Sequence, residues 1–210
     1  ETKPPITAIA LNCENNRDER SRYLLVENRK VENYVDMALY YARMDAVYKD
    51  YMIAESNLQE VAQQVLLQNK YYLIQSHVKA EVACPDTVYS DKKWIAFILN
   101  QLIQNSVKYG RSEGTHIQIV TKKTKRGVLL RVKDDGIGIP KEEIPRIFEK
   151  GFTGTNGRNR ERSTGMGLYL CRKLCDKLNI EIRAESAEGK GTEIILMFPV
   201  SDYLTGYRET

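Results

Sequence analysis

The chain has 210 residues, of which 42% are hydrophobic and 29% are charged, and its formal net charge is +4. These are ordinary values for a globular protein with a buried core. The Lys and Arg residues are spread along the sequence, and the lack of a dense basic stripe argues against nucleic acid as a partner. No apolar run approaches the ~20 residues that span a bilayer, and no signal peptide is recognisable. The absence of an initiator Met indicates a fragment of a longer protein.

Two helices are predicted at the N-terminal end, in a first domain that covers residues 1–45. Apolar residues spaced three and four apart predict a short helix over residues 6–14, and a longer helix runs from Glu19 to Asp45 without Gly or Pro. The longer helix carries two apolar rows, which are Leu24, Val31, Val35, Ala38 and Ala42, and Tyr34, Met37, Tyr41 and Met44. Two rows need two covering surfaces, which favours a truncated helical hairpin that dimerises into a four-helix bundle. The alternative is a single amphipathic helix packed on its own domain.

Strands and helices mix without regular alternation in the second predicted domain, residues 46–201. Asn57 and Asp91 are predicted helix N-caps, because their side chains can accept from backbone N–H groups of the first turn. The predicted elements are a strand Val47–Ala54, a helix from Asn57, strands His77–Ala83 and Thr87–Tyr89, a helix from Asp91 to Gly110, a hairpin of His116–Lys123 and Val128–Lys133, a loop over 135–164, a helix Gly165–Leu178, and strands Ile180–Ser186 and Thr192–Pro199. This order predicts an α+β fold, a two-layer sandwich with helices on one face of a mixed, largely antiparallel sheet. Residues 202–210 are a predicted tail.

Asp134 ends a predicted strand and is followed by two glycines, Gly136 and Gly138, that alternate with isoleucine. Glycines let the backbone turn sharply and approach a ligand closely. A carboxylate at a strand end beside an apolar wall can accept a hydrogen bond from an exocyclic amine, such as that of adenine. The alternative is a plain turn after a hairpin.

Two helices are predicted to present groups that suit phosphates. Thr164, Gly165, Gly167 and Leu168 open an apolar helix, whose free N–H groups at the start attract anions. On the helix that starts at Asp91, three polar residues share one face, and they are Gln101, Asn105 and Lys108. An amide oxygen can ligate Mg²⁺ and a lysine can reach phosphate oxygens. A structural helix start and a solvated helix face are the alternatives.

A basic loop follows the apolar pair Ile147-Phe148 and contains Lys150, Phe152 and Thr153, with Arg158 and Arg162 further along. Its Gly, Asn and Arg content suits a flexible segment that closes over phosphates. An ordinary loop without a ligand is the alternative.

The order and spacing of these four segments resemble the GHKL (Bergerat) family of ATP-binding domains, which includes gyrase, heat-shock chaperone, mismatch-repair and histidine kinase proteins. The resemblance covers roughly residues 46–200, and it implies ATP and Mg²⁺ as cofactors. It implies that Asp134 holds adenine, Asn105 coordinates Mg²⁺, and Lys108 and Tyr109 contact phosphate and ribose. The remaining implied nucleotide-binding residues are Gly136, Gly138, Lys150, Thr153, Arg158, Arg162, Thr164, Gly165, Gly167 and Leu168. Ser163 departs from the family, where many members have a third glycine.

The segment that starts at Glu1 resembles the phosphoacceptor motif H-E-x-x-[TN]-P of bacterial sensor histidine kinases, entered one residue late. By that match Glu1 is the general base beside the missing histidine. Pro4 departs from the usual Thr or Asn, from which weak or absent phosphatase activity is expected. The two remaining histidines, His77 and His116, lack such a motif, so the fragment should bind ATP–Mg²⁺ without autophosphorylating. Gln101 stands where hydrolytic family members have a glutamate, and an amide cannot act as a general base.

The resemblance therefore implies a sensor histidine kinase of a two-component system, which autophosphorylates and passes the phosphoryl group to a response regulator. The runs from Phe97 to Gln101 and from Gly151 to Arg158 look like sensors of bacitracin-type antibiotics. The expected setting is the cytoplasmic domain of a bacterial cell-membrane protein. Expected partners are a receiver domain, a second copy of the full-length protein and an ABC-type transporter. The alternatives are a GHKL ATPase of another branch, and a non-enzymatic module with a degenerate nucleotide pocket.

Overall fold

The computed structural model describes residues 3–15, 18–43, 52–155 and 164–200. Its helices are α1 (Lys3–Asn15), α2 (Glu19–Arg43), α3 (Leu58–Gln68), α4 (Lys70–Gln75), α5 (Lys92–Lys108) and α6 (Gly167–Lys177), with a 3-10 turn at Ile144–Arg146. Its strands are β1 (Ala54–Asn57), β2 (Val78–Ala83), β3 (Thr87–Ser90), β4 (Thr115–Thr124), β5 (Gly127–Asp134), β6 (Glu181–Ser186) and β7 (Thr192–Pro199).

The main sheet has five strands in the order β2-β4-β5-β7-β6, and β1 pairs with β3 in a separate two-stranded ribbon. Strands β2 and β4 are parallel, while the other neighbours in the main sheet are antiparallel. Helices α3, α5 and α6 share one hydrophobic core with the sheet, and its fully buried side chains include Leu58, Ile98, Leu102, Ile117, Leu130, Leu170, Leu174 and Leu196. The predicted two-layer α+β sandwich with a mixed sheet is therefore confirmed.

Helix α5 begins at Asp91 because this side chain accepts hydrogen bonds from the backbone N–H groups of Lys93 and Trp94. Its other carboxylate oxygen accepts from the backbone N–H of Met52, at 2.9 Å. One side chain thus caps the helix and fastens the chain that leads into β1. Asn57 likewise caps α3 by accepting from the backbone N–H of Glu60, so both predicted N-caps are present.

Several predicted elements need correction. In the described part of the strand predicted over 47–54, only Ala54 is in a strand, because the pairing of β1 with β3 begins there. Residues 44–51 lie outside the described chain. His77 precedes β2 with φ +53°, a left-handed conformation that does not continue a strand. Helix α4 and the 3-10 turn were not predicted, since six and three residues are too short for a helical period to be recognised.

Helices α1 and α2 contact each other, and the side-chain amide of the buried Asn28 donates to the backbone oxygen of Ile6. Met37 on α2 joins the core of the sandwich, whereas Leu24, Val31 and Tyr34 are about half exposed. A dimerising hairpin over residues 1–45 stays a prediction. No helix in the described ranges is both long enough and apolar enough to cross a membrane.

Candidate functional site

A cleft of about 780 Å³, partly open to solvent, lies between α5, the sheet and the segment that follows β5. Six of the predicted site residues line it, and they are Asn105, Tyr109, Asp134, Gly138, Thr153 and Leu168. The structure therefore brings together residues from α5, β5, α6 and the 152–154 segment that are far apart in sequence.

Asp134 places a buried carboxylate at this cleft, with only 9% of its surface exposed. Its Oδ1 accepts from the backbone N–H groups of Gly136 (3.0 Å) and Thr192 (3.2 Å), and its Oδ2 accepts from Ser106 Oγ (2.9 Å). Burial raises the pKa of Asp134, although these three hydrogen bonds oppose the rise. The carboxylate is thus held in one orientation, with acceptor capacity left on Oδ2 for a donor in the cleft.

The walls around Asp134 are mostly apolar. They are formed by side chains of Leu102, Val132, Ile139, Ile147, Phe152, Leu168 and Ile194, which come from five different segments. An apolar slot with one oriented acceptor at its end suits a planar heteroaromatic ring that carries an amine, because the ring is desolvated and the amine has a partner.

The two glycines after Asp134 lie where another part of the backbone comes close, and Gly138 lines the cleft. Gly138 has φ +72°, and a Cβ on it would collide with the backbone oxygen of Ala187 in the β6–β7 turn. A Cβ on Gly136 would lie 2.5 Å from the backbone oxygen of Tyr109. Both positions therefore need glycine, the first for its conformation and both for the close approach of another backbone.

Helix α6 points its N-terminus towards α5. It begins at Gly167 rather than at the predicted Gly165, which has φ +64° and whose backbone oxygen accepts from Gly151 N–H at 3.1 Å. The N-cap residue Met166 makes no side-chain hydrogen bond to the first turn. A Cβ on Gly167 would lie 2.9 Å from Gln101 Oε1, so the missing side chain lets α5 and α6 approach closely.

The other predicted site residues are not among those that line the cleft, and they are Lys108, Gly136, Lys150, Thr164, Gly165 and Gly167. Lys108 places its Nζ 5.7 Å from the ring centre of Tyr109, and Lys150 is exposed. Glu1, Arg158 and Arg162 lie outside the described residues.

Sequence reasoning missed Ser106 and Thr192, the two residues that hold Asp134 from α5 and β7. Ser106 is 5% exposed and follows Asn105 on an otherwise apolar helix side. A buried hydroxyl there needs a partner, which is a signal that the sequence does offer. Thr192 gave no such signal, because its contribution is a backbone N–H that depends on the register of β5 with β7.

The model of the histidine kinase-, DNA gyrase B- and HSP90-like ATPase family matches residues 90–202. The sensor protein kinase GraS of Staphylococcus aureus (strain N315) is 35% identical over 206 residues, which are 95% of this chain and 58% of GraS. The sensor histidine kinase YxdK of Bacillus subtilis (strain 168) is 32% identical over 200 residues, which are 94% of this chain and 62% of YxdK. The chain thus spans about three fifths of the length of these relatives.

Among solved structures, the catalytic domain of histidine kinase ThkA is similar with a TM-score of 0.61 and 26% identity. The similarity covers 70% of this chain and 97% of that domain. ThkA has also been solved in complex with the response regulator protein TrrA. The fold, the cleft and the family match agree, and the chain belongs to the histidine kinase-, DNA gyrase B- and HSP90-like ATPase family.

Proposed function

We propose that this chain is the ATP-binding catalytic part of a bacterial sensor histidine kinase. In this proposal the γ-phosphoryl group of ATP is transferred to a histidine, and from there to an aspartate of a response regulator. The observation that carries the proposal is the buried Asp134 carboxylate, held by three donors at the end of an apolar slot. Relatives that are sensor kinases match 94–95% of the chain, which supports the kinase branch of the family.

Adenine is the proposed occupant of the apolar slot, with its exocyclic amine donating to Asp134 Oδ2. Ile139 and Ile194 belong to the apolar wall of the cleft and are proposed to contact the base. A hydrogen bond from a neutral donor to this charged acceptor is worth about 1.5–3 kcal/mol. Gly136 and Gly138 are proposed to shape the floor beneath the base.

Mg²⁺ is proposed to bind together with the phosphates, with the amide oxygen of Asn105 as a ligand from the protein. The described residues hold no group of three or more His, Cys, Asp or Glu that could bind a metal ion. One amide oxygen in a phosphate-accepting cleft fits Mg²⁺, which usually takes one or two protein ligands and completes its shell with phosphates and water. Lys108 and Tyr109 are proposed to contact phosphate and ribose.

The phosphates are proposed to lie near the N-terminus of α6, whose backbone N–H groups and dipole favour anions. The residues proposed to act there or on the covering loop are Lys150, Thr153, Arg158, Arg162, Thr164, Gly165, Gly167 and Leu168. The approach of Gln101 to Gly167 supports this arrangement, because it keeps α5 and α6 close together at this end of the cleft.

Phosphoryl transfer is favoured over hydrolysis by the chemistry of Gln101. This side chain is 4% exposed and carries an amide, which cannot take a proton from an attacking water. In the proposal the general base is instead Glu1, beside the acceptor histidine of the longer protein. Pro4 stands where related kinases have Thr or Asn, and we expect weak or absent phosphatase activity as a result.

The proposed partners are a receiver domain and a second copy of the full-length protein. The half-exposed Leu24, Val31 and Tyr34 on α2 support dimerisation, because an apolar row at helical spacing is stabilised when a second helix covers it. The same proposal includes an ABC-type transporter as a further partner. It also includes sensing of bacitracin-type antibiotics and a cytoplasmic position beside the cell membrane.

Two measurements test this function. Titration calorimetry of the chain with a non-hydrolysable ATP analogue and Mg²⁺ should detect binding, and the longer protein should incorporate label from γ-labelled ATP as acid-labile, base-stable phosphohistidine. Binding without labelled histidine, together with steady-state ATP hydrolysis, would favour an ATPase of another branch. No analogue binding would favour a partner-binding module with a degenerate pocket.

A further inference from the structure

One wall of the cleft is formed by a short segment that we name the cleft-wall segment, residues 152–155, of which Gly154 and Thr155 are helical. Its members Phe152, Thr153 and Gly154 line the cleft. A binding segment contributes more to ligand affinity when other contacts already fix its shape, because less ordering is then needed on binding. Two residues contact this segment, Arg146 of the 3-10 turn Ile144–Arg146 and Glu143, which precedes that turn.

Glu143 holds the C-terminal end of the cleft-wall segment. Its Oε1 accepts from both the backbone N–H (2.8 Å) and the hydroxyl (2.6 Å) of Thr155. Its Oε2 lies 2.5 Å from the position that a Cβ on Gly154 would take, and Gly154 has φ +63°. The segment therefore passes so close to the carboxylate that a side chain at position 154 would displace it.

Arg146 holds the N-terminal end. Its guanidinium carbon lies 4.6 Å from the ring centre of Phe152, and its Nε is 3.1 Å from Glu149 Oε2. The Phe152 ring thus has the cleft on one side and a stacked cation on another, and the ion pair with Glu149 orients that cation. A stacked guanidinium restrains an aromatic ring both by contact area and by cation–π attraction.

We propose that Glu143 and Arg146 are positioning residues for nucleotide binding, which fix the cleft-wall segment in the shape that contacts ATP. The inference rests on the proposed use of this cleft for ATP. It explains why a carboxylate lines a cleft that receives a polyanion. An unengaged Glu143 would only repel the phosphates, whereas its hydrogen bonds to Thr155 direct the carboxylate to the wall.

Glu143 could either fix the cleft wall or repel the phosphates, and removal of its charge separates these two roles by whether the Kd rises or falls. With Glu143→Ala, the wall loses both hydrogen bonds, and we expect the Kd for Mg²⁺ and a non-hydrolysable ATP analogue to rise about tenfold. With Glu143→Gln, an acceptor oxygen remains, and the Kd should stay within about threefold of the wild type. Tighter binding by both variants would overturn the proposal, because it would leave only charge repulsion. Glu142→Ala is the matched control, since this exposed neighbour is also a glutamate and does not line the cleft.

Kinetics and a double-mutant cycle identify positioning as the cause. Stopped-flow binding should show that Glu143→Ala acts mainly on the dissociation rate constant, because the wall must form around a bound nucleotide. The single variant Thr155→Val should weaken binding about threefold, and the same change should have no added effect when Glu143→Ala is already present. Thr155→Ser keeps the hydroxyl group and should bind with wild-type affinity. Fully additive effects would refute the Glu143–Thr155 contact as the cause.

Arg146→Gln tests the other end of the wall. It removes the cation from the Phe152 ring, and we expect a Kd increase of about threefold with an unchanged melting temperature of the nucleotide-free protein, because Arg146 is 58% exposed. An unchanged Kd in this variant and in Glu143→Ala would refute the proposal while wild-type binding stands. Failure of the wild type itself to bind would refute the function on which the proposal rests.

Discussion

Asp134→Asn is the change that tests the adenine-binding role most directly. The two backbone donors, Gly136 and Thr192, both point at Oδ1, so the amide must keep its oxygen there. Its NH₂ group then replaces Oδ2, where it can donate to Ser106 but no longer accept from a ligand. The substitution therefore preserves the internal hydrogen bonds and turns the acceptor of the cleft into a donor.

The expected loss follows from that reversal. A hydrogen bond to a charged group contributes about 1.5–3 kcal/mol, which corresponds to about a 10- to 150-fold change in Kd. Because the adenine amine then faces a second donor, we expect the upper part of this range. Titration calorimetry with an ATP analogue measures the change, and wild-type affinity in the Asp134→Asn protein would refute the assignment of this residue to adenine.

A pH series shows that the variant is folded and tests the electrostatics. Burial raises the pKa of Asp134, so the folded state binds its proton more tightly than the unfolded state does. The stability that protonation confers is fully present below the unfolded pKa and is lost as pH rises through the folded pKa. Relative to the wild type, Asp134→Asn should therefore gain stability from acid pH to neutrality, as measured by urea unfolding. A trend of opposite sign would contradict the buried environment of this carboxylate.

Three further predictions concern stability and reactivity. Gly138→Ala should lower the free energy of unfolding by about 2 kcal/mol or more, because φ is +72° and the new Cβ would meet the backbone of Ala187. Asp91→Ala should cost about 1–2 kcal/mol in urea unfolding, since it removes the cap of α5 and the bond to Met52. Burial raises the pKa of Cys84 to about 11, so iodoacetamide at pH 8 should alkylate this thiol far more slowly in the folded than in the unfolded protein, as followed by mass spectrometry.

The opposite result would contradict each of these three predictions. A Gly138→Ala protein of wild-type stability would mean that the floor of the cleft can move away from the β6–β7 turn. An unchanged Asp91→Ala protein would mean that α5 needs no cap. Fast alkylation of Cys84 in folded protein, at a rate equal to that in urea, would mean that the core around β2 opens frequently.

The sequence predicts most of the fold because its signals are local. Asn57 and Asp91 stand at helix starts that need a side-chain acceptor, and Gly127 marks a hairpin turn, so the two helices and the hairpin are found with nearly correct ends. Helix α4 and the 3-10 turn escape prediction because they are shorter than two helical turns. His77 is misplaced because nothing in its sequence neighbourhood reveals a positive φ.

The site likewise has a part that a local sequence pattern reveals and a part that depends on contacts between distant segments. Asp134, Gly136 and Gly138 form a contiguous pattern, so they can be recognised, and Asp134 and Gly138 line the cleft. The donors that orient Asp134 come from α5 and β7, and the contact of Glu143 with Thr155 spans 12 residues. Such contacts depend on register and on loop paths, which no local pattern encodes.

The cleft is assembled from segments that lie between Leu102 and Ile194, including the last strand of the sheet. It can exist only while these segments are packed together, so nucleotide binds the native state and not the unfolded chain. Folding and ligand binding are thereby linked through mass action. At a concentration of 100 times Kd, nucleotide should add about 2.7 kcal/mol to the free energy of unfolding. In the proposed function, nucleotide at concentrations well above Kd is therefore expected to stabilise the domain as well as to occupy its site.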